Sequence, residues 1–337
     1  MSSAIEANAV GVIVNPRAGK DLRRLTAAAA PSVEMARIAD LRAIVTGAFA
    51  GGAETVVVPV DAHGFAERAL RGFDADVTLL DLETEGTGRD TARAATAMRE
   101  HGVEAVVVAG GDGTHRDVVR GWRDAPMVTV ARGTNNGFPQ GTEPTAAGVV
   151  AGVVVSSGIP VDELTAYRGL VIDIDVEAAP RDLALVSAAV VRDTHLGAGT
   201  VSAADSVDQV FAAIAEPWSI GMSALAGAVA PSGRTDDGGD LLDLDIDAPQ
   251  RITAPLAPGL FADAGLRSVS VVELDQPVAV RGPAQFVLDG ERSARLRPDE
   301  WASMTLRRNG PKVIDVRRTY SIGVRQGRFY RDPARHG

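Results

Sequence analysis

The stretch that decides the fold is AVVVAGGDGT, which runs from Ala105 to Thr114. Its first five residues are small or β-branched and apolar, as is typical of a strand covered on both faces of a parallel sheet. The glycines then allow a tight turn and a close approach of the backbone to a ligand. Residues 114–123 continue with the spacing of a helix. We therefore expect an α/β domain with this turn at the carboxyl edge of its sheet, where open α/β sheets bind ligands.

The surrounding sequence repeats this alternation of apolar runs and helix-like segments, which predicts a Rossmann-like parallel sheet over residues 1–158. Beyond it, shorter alternating runs broken by Gly, Pro and Asp predict a second, mainly antiparallel domain over 159–310. The predicted strands of the first domain are 10–14, 55–60, 77–82, 105–109 and 127–131, and its predicted helices are 35–50, 65–71, 91–100 and 114–123. The predicted strands of the second domain are 170–176, 183–191, 241–246, 269–272, 278–280 and 285–288.

The overall composition limits the function classes. A chain of 337 residues favours two domains, and a net charge of −10 argues against nucleic acid as a partner. The sequence has no cysteine, which excludes disulfides, thiolate nucleophiles and zinc ribbons. The most apolar window, 146–161, is shorter than a membrane span, and the first ten residues lack a secretory pattern. We therefore expect a cytoplasmic protein with no membrane partner.

The turn after the strand has the features of a phosphate site. Backbone N–H groups of Gly110, Gly111 and Gly113 can form an anion nest, and the new helix offers its positive end. A carboxylate beside phosphate is useful if it binds Mg²⁺ or accepts a proton from an attacking hydroxyl, so Asp112 is the candidate catalytic and metal-binding residue. The alternative is a tight strand-to-helix turn in which Asp112 only caps the helix.

Two further loops follow strands that are predicted to end at the same edge of the sheet. One follows the first strand and contains one of the few lysines, and the other offers hydroxyl, amide and backbone donors. Each loop alone is a weak signal, because these are ordinary turn residues, but three such loops together favour a ligand site. Their candidate binding residues are Asn15, Pro16, Gly19 and Lys20 in the first loop, and Gly133, Thr134, Asn135 and Asn136 in the second.

The segment GRDTARAATAMREHGVEAVVVAGGDGTHRDVV, residues 88–119, resembles the ATP-NAD kinase and diacylglycerol kinase superfamily, as does the Asn15-Pro16 loop. Within that superfamily it is most similar to the NAD kinase-like branch named for acetoin catabolism protein X. The likeness extends to residues 220–224 and 309–311. It therefore covers nearly the whole chain.

This resemblance implies a β-sandwich-like second domain and an active site in the cleft between the domains, with residues 311–337 packing back on the first domain. It implies that Thr114 belongs to the phosphate turn and that the loop at Gly133 contacts nucleotide. The Asp-Gly-Glu turn of lipid-kinase relatives resembles residues 289–291, which adds Asp289 as a binding residue and Glu291 as a catalytic residue. Asp90 and Thr91 match a recurring pair at a helix start, for which a plain N-cap is the alternative.

The expected function is transfer of a phosphoryl group from ATP, with Mg²⁺, to a hydroxyl of NAD or a related nucleotide or polyol. NAD kinases carry an Asn-Glu or Asn-Asp pair that holds the dinucleotide, whereas this sequence has Val186 and Ser187 there. Two alternatives therefore stay open: a catalytically inactive nucleotide-binding regulatory protein, and a lipid kinase-like enzyme. The family resemblance also implies a homodimer or a higher homo-oligomer. Among the histidines, His195 is a candidate to enter the cleft from the second domain. His115 is expected on a helix surface, with a contact to phosphate as the alternative.

Overall fold

The computed structural model describes residues 8–18, 34–73, 76–177, 180–192 and 206–330. Its helices are α1 (Glu34–Gly51), α2 (Phe65–Leu70), α3 (Gly88–Glu100), α4 (Asp112–Gly121), α5 (Pro144–Ser156), α6 (Val161–Leu164), α7 (Ser223–Gly227) and α8 (Val316–Arg325). Its strands are β1 (Ala9–Val14), β2 (Thr55–Pro59), β3 (Val77–Leu80), β4 (Ala105–Gly110), β5 (Pro126–Ala131), β6 (Thr165–Arg168), β7 (Val171–Val176), β8 (Asp182–Ala184), β9 (Ser187–Val191), β10 (Val207–Ala212), β11 (Gly238–Leu244), β12 (Gln250–Ala257), β13 (Leu260–Glu273), β14 (Pro277–Arg281), β15 (Ala284–Leu288), β16 (Glu291–Leu296), β17 (Trp301–Arg307) and β18 (Lys312–Ile314).

The first sheet has the strand order β3-β2-β1-β4-β5-β18-β6. The first five of these strands are parallel. All six residues of β4 are buried, as expected for a strand with helices on both faces. The parallel arrangement brings the loops after β1, β2, β4 and β5 to one edge, which places the predicted ligand loops together.

Helices α1 and α5 lie against each other with almost no side chain between them. A Cβ atom on Gly148 would be 2.0 Å from the Ile44 carbonyl oxygen, and one on Gly47 would be 2.2 Å from the Thr145 carbonyl oxygen. Helix α5 is therefore covered by α1, by the sheet and by α8, which explains why it is apolar on every side. Among the described residues, no helix combines the length and hydropathy that a bilayer crossing requires.

The second half of the chain forms two antiparallel sheets, ordered β12-β13-β11-β10-β9-β15-β16 and β14-β17-β7-β8. Their inner faces share one core, in which Ile172 and Leu306 of one sheet are buried with Phe211 and Phe286 of the other. The predicted fold class, a parallel α/β domain followed by a mainly antiparallel sandwich-like domain, is therefore confirmed.

One predicted strand is wrong in detail. Residues 183–191 do not form a single strand, because the chain leaves the smaller sheet after β8 and enters the larger one at β9. The chain crosses between the sheets at Leu185 and Val186, which are both buried. The first sheet also takes strands from beyond residue 158, since β18 pairs in parallel with β5 and antiparallel with β6.

Candidate active site

A cavity of about 940 Å³ opens at the carboxyl edge of the first sheet. Its walls come from the loops after β1, β2, β4 and β5, from the start of α3, and from the turn between β15 and β16. The second domain therefore closes the cleft that the first domain forms. The predicted site residues that line it are Asn15, Pro16, Asp90, Thr91, Gly111, Asp112, Gly113, Thr114, Gly133, Thr134, Asn135, Asp289 and Glu291.

The Gly-Gly-Asp-Gly-Thr turn leaves free backbone donors at the start of α4. Helix α4 begins at Asp112, and within the described chain the N–H groups of Gly113 and Thr114 in its first turn have no hydrogen-bond acceptor. The Asn15 side chain donates to Thr114 Oγ1 over 2.9 Å, which ties the first loop to this turn. A Cβ atom on Gly133 would be only 2.3 Å from the Gly111 Cα, so glycine is required where the two loops meet. Free N–H groups at a helix start are the donors that bind phosphate.

Asp112 lines the floor of the cleft. It is 4% exposed, and its carboxylate accepts hydrogen bonds from the backbone N–H of Phe138 (2.8 Å) and of Gly137 (3.1 Å). Burial, and after it the nearby charge of Asp289, raises the pKa of Asp112 to about 7. A carboxyl group with such a pKa is half ionised at neutral pH, which suits a proton acceptor.

The same geometry does not fit a direct Mg²⁺ ligand. Mg²⁺ requires near-octahedral oxygen ligands and keeps several of its waters, whereas both Asp112 oxygens accept backbone hydrogen bonds in a buried position. Among the described residues, no three acidic or histidine side chains are grouped so that they could hold a metal. Magnesium binding by Asp112 stays a prediction.

Asp289 has a structural task. Its buried carboxylate accepts hydrogen bonds from the backbone N–H groups of Leu185 (2.9 Å), Val186 (2.8 Å) and Ser187 (3.1 Å), where the chain crosses between sheets. Val186 and Ser187, at the position of the dinucleotide-binding pair, are 2% and 4% exposed. A Cβ atom on Gly137 would lie 2.7 Å from Val186 Cγ1. This position is therefore filled by packed protein and offers no side chain to a dinucleotide.

Glu291 and Arg116 join the two domains. The Arg116 guanidinium, whose side chain is 3% exposed, donates to the Leu288 carbonyl oxygen and forms an ion pair with the Glu291 carboxylate. The Glu291 side chain is 57% exposed, so it reaches the cavity while Arg116 lies beneath it. The predicted catalytic residue Glu291 therefore has a buried cationic partner that the sequence did not indicate.

Asp117 and Arg120 extend this charged cluster along α4. Arg120 is paired with Asp117 (2.6 Å) and with Asp182 of the second domain (2.5 Å). Burial raises the pKa of Asp117 to about 6. Asp117 Oδ2 packs against the start of α3, where a Cβ atom on Gly88 would lie 2.2 Å from it. Asp117 and Arg120 line the cavity, although sequence reasoning missed both. The only available signal was their helical spacing from Asp112, which equally predicts a solvated face.

Asp90 acts mainly as a cap. Its carboxylate accepts hydrogen bonds from the backbone N–H groups of Glu85 (2.9 Å) and Gly86 (2.7 Å) and pairs with Arg93. It also forms a capping box with Thr87 at the start of α3. The backbone around Asp90 is thereby fixed at the cavity rim, and a contact of Asp90 or Thr91 with a nucleotide stays a prediction.

The loop after β5 is tied internally. Asn136 Oδ1 accepts from the Gly133 N–H and Asn136 Nδ2 donates to the Gly133 carbonyl oxygen, so this side chain holds the loop and does not line the main cavity. Asn135 is buried against Gly221, with an Oδ1 atom that has no partner among the described residues. Gly110 lies below the cavity, covered by Thr114. Gly19, Lys20 and His195 lie outside the described residues.

His115 is a correction to the sequence analysis. The side chain is fully buried rather than on a helix surface, with Nδ1 2.8 Å from the Gly111 carbonyl oxygen and the ring next to Phe138. Burial lowers the pKa of His115 to about 4, so the ring is neutral at physiological pH. The Gly111 carbonyl also accepts from the His115 backbone N–H, so His115 fixes the peptide that precedes Asp112.

Comparison with known proteins agrees with this two-domain arrangement. Residues 10–157 match the ATP-NAD kinase N-terminal domain family, and residues 170–309 match the acetoin catabolism protein X C-terminal domain family. Acetoin catabolism protein X from Cupriavidus necator is 34% identical over 333 residues, which cover 94% of this chain and 92% of that protein. The crystal structure of yeast NADH kinase complexed with NADH aligns with a TM-score of 0.55 at 12% identity, covering 95% of this chain and 87% of that chain, and so shares the fold.

The family resemblance predicted from residues 88–119 is thereby confirmed. A kinase-like fold is shown by the N-terminal family match and by the structural neighbour. The chain belongs to the acetoin catabolism protein X family of NAD kinase-like proteins.

Proposed function

We propose that the protein is a phosphotransferase that moves the γ-phosphoryl group of ATP to a hydroxyl group of a small acceptor. One observation carries the proposal: two unsatisfied N–H groups of α4 open into the interdomain cavity directly beside Asp112, a carboxyl group whose pKa is raised to about 7. N–H groups that bind an anion, next to a group that accepts a proton, are the two elements that transfer of phosphate to an alcohol needs.

The proposed step uses positioned groups rather than a covalent enzyme intermediate. The acceptor oxygen attacks the γ-phosphorus, the bond from γ-phosphorus to the β,γ-bridging oxygen breaks, and ADP leaves with that electron pair. The hydroxyl proton passes to Asp112, and the products are ADP and a phosphate monoester. Such loose transition states depend on alignment and charge neutralisation, which the N–H groups of Gly113 and Thr114 supply.

Two arginines add positive charge to the phosphate region. Arg17 and Arg89 both line the cavity, and neither forms an ion pair with any of the residues that the structure describes. The Arg17 guanidinium contacts the Gly86 carbonyl oxygen at 3.5 Å, in the loop that leads into the first turn of α3, which contains Arg89. In this proposal Mg²⁺ enters as the companion of ATP in solution.

The direct test is transfer of label from γ-labelled ATP with MgCl₂ to a broad panel of alcohols, nucleosides and NAD. The purified wild-type protein should form a labelled phosphate monoester from at least one acceptor, and Asp112→Asn should form far less. If the protein binds ATP and no label reaches any acceptor, the proposed activity is wrong.

A nucleotide-binding regulatory protein is the second candidate, and the buried Val186 and Ser187 favour it, because a dinucleotide finds no partner there. Ligand at 100 times its Kd should raise the free energy of unfolding by about 2.7 kcal/mol whether or not turnover follows. Stabilisation by ATP or NAD without transfer would select this candidate.

The Asp-Gly-Glu turn gives a lipid kinase little support, since the Asp289 carboxylate is used in hydrogen bonds within the protein. NAD as acceptor, a homodimer and a cytoplasmic location stay predictions.

A further inference from the structure

We infer that Arg234 of the second domain is a positioning residue for the proposed reaction, because it holds the peptide group that in turn holds the Asp112 carboxylate. The inference rests on the phosphotransferase proposed above and adds a residue that no sequence motif indicated. Arg234 lies in the loop between α7 and β11, far along the chain from the Gly-Gly-Asp-Gly-Thr turn. One chain of hydrogen bonds between the two domains carries the inference.

A single peptide group lies between Arg234 and Asp112. Its carbonyl oxygen, on Gly137, accepts a hydrogen bond from Arg234 Nη2 over 2.7 Å. Its N–H, on Phe138, donates to Asp112 Oδ1 over 2.8 Å. The peptide is trans, so the C=O and the N–H point to opposite sides. A cation at the carbonyl oxygen polarises the peptide and makes the N–H a stronger donor to the carboxylate.

The two peptide groups next to it extend the same arrangement. The Phe138 carbonyl oxygen accepts a hydrogen bond from Arg234 Nη1. The Gly137 N–H donates to Asp112 Oδ2 over 3.1 Å. One guanidinium group therefore binds two successive carbonyl oxygens, and the N–H groups of the same two residues bind both oxygens of the carboxylate. The backbone at 137–138 is held between a cation on one side and Asp112 on the other.

The Arg234 side chain is itself fixed in direction. Its Nε and Nη2 donate to the two carboxylate oxygens of Glu216 over 2.9 and 3.1 Å, which is the paired geometry of a guanidinium with a carboxylate. Nη1 also contacts the Tyr167 hydroxyl oxygen at 3.3 Å. The side chains of Arg234 and Glu216 are only 15% and 17% exposed. A guanidinium group held in this way keeps its orientation, as a positioning residue requires.

The charge of Arg234 favours the same state of Asp112. Burial and the charge of Asp289 raise the pKa of Asp112. The two backbone hydrogen bonds, and after them the positive charge of Arg234, oppose that rise. Arg234 therefore stabilises the ionised carboxylate, which is the form that can take the proton of the attacking hydroxyl.

The test is the kcat of transfer from MgATP to the acceptor found in the label-transfer assay. Arg234→Gln should lower kcat at least about tenfold, because a displaced Asp112 is poorly aligned with the hydroxyl. The KM for ATP should change less than about twofold, since the N–H groups of α4 are untouched. Arg234→Lys keeps the charge without the fork of donors and should retain more of kcat than Arg234→Gln.

Arg123→Gln is the matched control. Arg123 also joins the two domains, through hydrogen bonds to Asp173 and Asn309, and it does not line the cavity. Its loss should weaken the contact between the domains and leave kcat unchanged. An equal fall in kcat in Arg123→Gln and Arg234→Gln would overturn the inference, because the effect would then belong to the domain contact as a whole.

A double-mutant cycle with Asp112→Asn separates positioning from an independent effect. If Arg234 acts through Asp112, Arg234→Gln should lower kcat less than about twofold in the Asp112→Asn background. Two losses that multiply would overturn the inference and leave the phosphotransferase standing. A wild-type protein that binds ATP and transfers no label to any acceptor would overturn the phosphotransferase, and the role of Arg234 with it.

The Phe138 amide gives a readout that needs no turnover. With ¹⁵N-phenylalanine labelling, one of the eight phenylalanine amides reports on the peptide between Arg234 and Asp112. Its proton signal should move upfield in Arg234→Gln, because the hydrogen bond to the carboxylate weakens when the cation is removed. The signal should stay in place in Arg123→Gln. An unmoved signal in Arg234→Gln would contradict the positioning role.

Discussion

The carboxylate of Glu291 packs on the backbone of Gly113, so closely that a Cβ atom at residue 113 would lie 2.7 Å from Glu291 Oε1. Residue 113 is in the first turn of α4, where negative charge is stabilised by the helix dipole. The second domain therefore supplies an anion to the same helix end that is proposed to bind phosphate. A bound γ-phosphate and Glu291 must share this position, which couples ligand binding to the turn between β15 and β16.

The first prediction concerns Gly113→Ala. The new methyl group should displace the Glu291 side chain and narrow the approach to the N–H groups of α4, while the fold survives because the Glu291 side chain is more than half exposed. We expect the Kd for ATP, measured by calorimetry, to rise at least about tenfold. Gly141→Ala is the matched control, since a Cβ atom there meets nothing within 4 Å. Equal affinity in the two variants would show that the helix start does not bind phosphate.

The second prediction concerns Asp112→Asn and turnover. If Asp112 accepts the hydroxyl proton, the Asn variant should lose about 10²-fold or more in kcat with little change in KM for ATP. Circular dichroism should show a folded protein, because an amide oxygen can still accept from the Phe138 N–H. A folded variant with near wild-type kcat would refute the assigned role.

The third prediction concerns pH and stability. Asp112 keeps its proton up to about pH 7 in the folded protein but only to its ordinary pKa of 3.8 when unfolded. Between these values the folded state binds more protons, so this group lowers the free energy of unfolding as pH rises. Asp112→Asn removes this contribution. The stability of the variant relative to wild type should therefore improve between pH 4 and pH 8, by up to about 4 kcal/mol.

Urea denaturation of both proteins at the two pH values measures that difference. Glu100→Gln, on the exposed surface of α3, should show the same stability relative to wild type at both. A constant difference for Asp112→Asn would mean that its carboxyl group titrates normally in the folded protein.

The fourth prediction concerns Arg116, which lies between the domains. Arg116→Gln removes the positive charge that favours the buried Asp289 carboxylate and leaves the Leu288 carbonyl oxygen without its donor. Loss of one partner from a buried ionic group costs about 3–5 kcal/mol, which should appear as a lower urea midpoint. Arg116→Lys should restore only part of the lost stability, because an ammonium group cannot donate to both sites in the same fork geometry. A wild-type midpoint for Arg116→Gln would contradict this role.

The fifth prediction concerns Arg89. Its guanidinium has no ion pair among the described residues, so Arg89→Gln should leave the urea midpoint unchanged and raise the KM for ATP several-fold. Arg99→Gln lies on the same helix and outside the cavity, and it should change neither quantity. A parallel loss of affinity in both variants would point to overall charge rather than to contact.

Local sequence was sufficient to predict the structure of the Gly-Gly-Asp-Gly-Thr turn. The features that determine the structure of residues 105–114 all lie within those ten residues, because an apolar strand, glycines and the start of a helical repeat follow one another directly. The sequence also predicted that the loop at Asn15 lies at the same edge of the sheet, where the Asn15 side chain contacts Thr114.

The charged cluster along α4 depends on the second domain instead. Asp117 and Arg120 look like the solvated face of an amphipathic helix, and only the approach of Asp182 and Glu291 from distant sequence makes that face a cavity wall. His115 was misplaced for the same reason, because its burial depends on contact with Phe138. Strand β9 was merged with β8 because a change of sheet at buried apolar residues leaves no trace in the hydrophobic pattern.

The position of β18 has a consequence for synthesis on the ribosome. The strand lies between β5 and β6, and α8 covers the outer side of α5, so the N-terminal half requires residues 312–325 to be complete. A nascent chain of which only the first 170 residues have left the ribosome exposes the apolar surface of α5 and an unpaired strand edge to water. We expect such a chain to need chaperone protection until translation has passed the last helix.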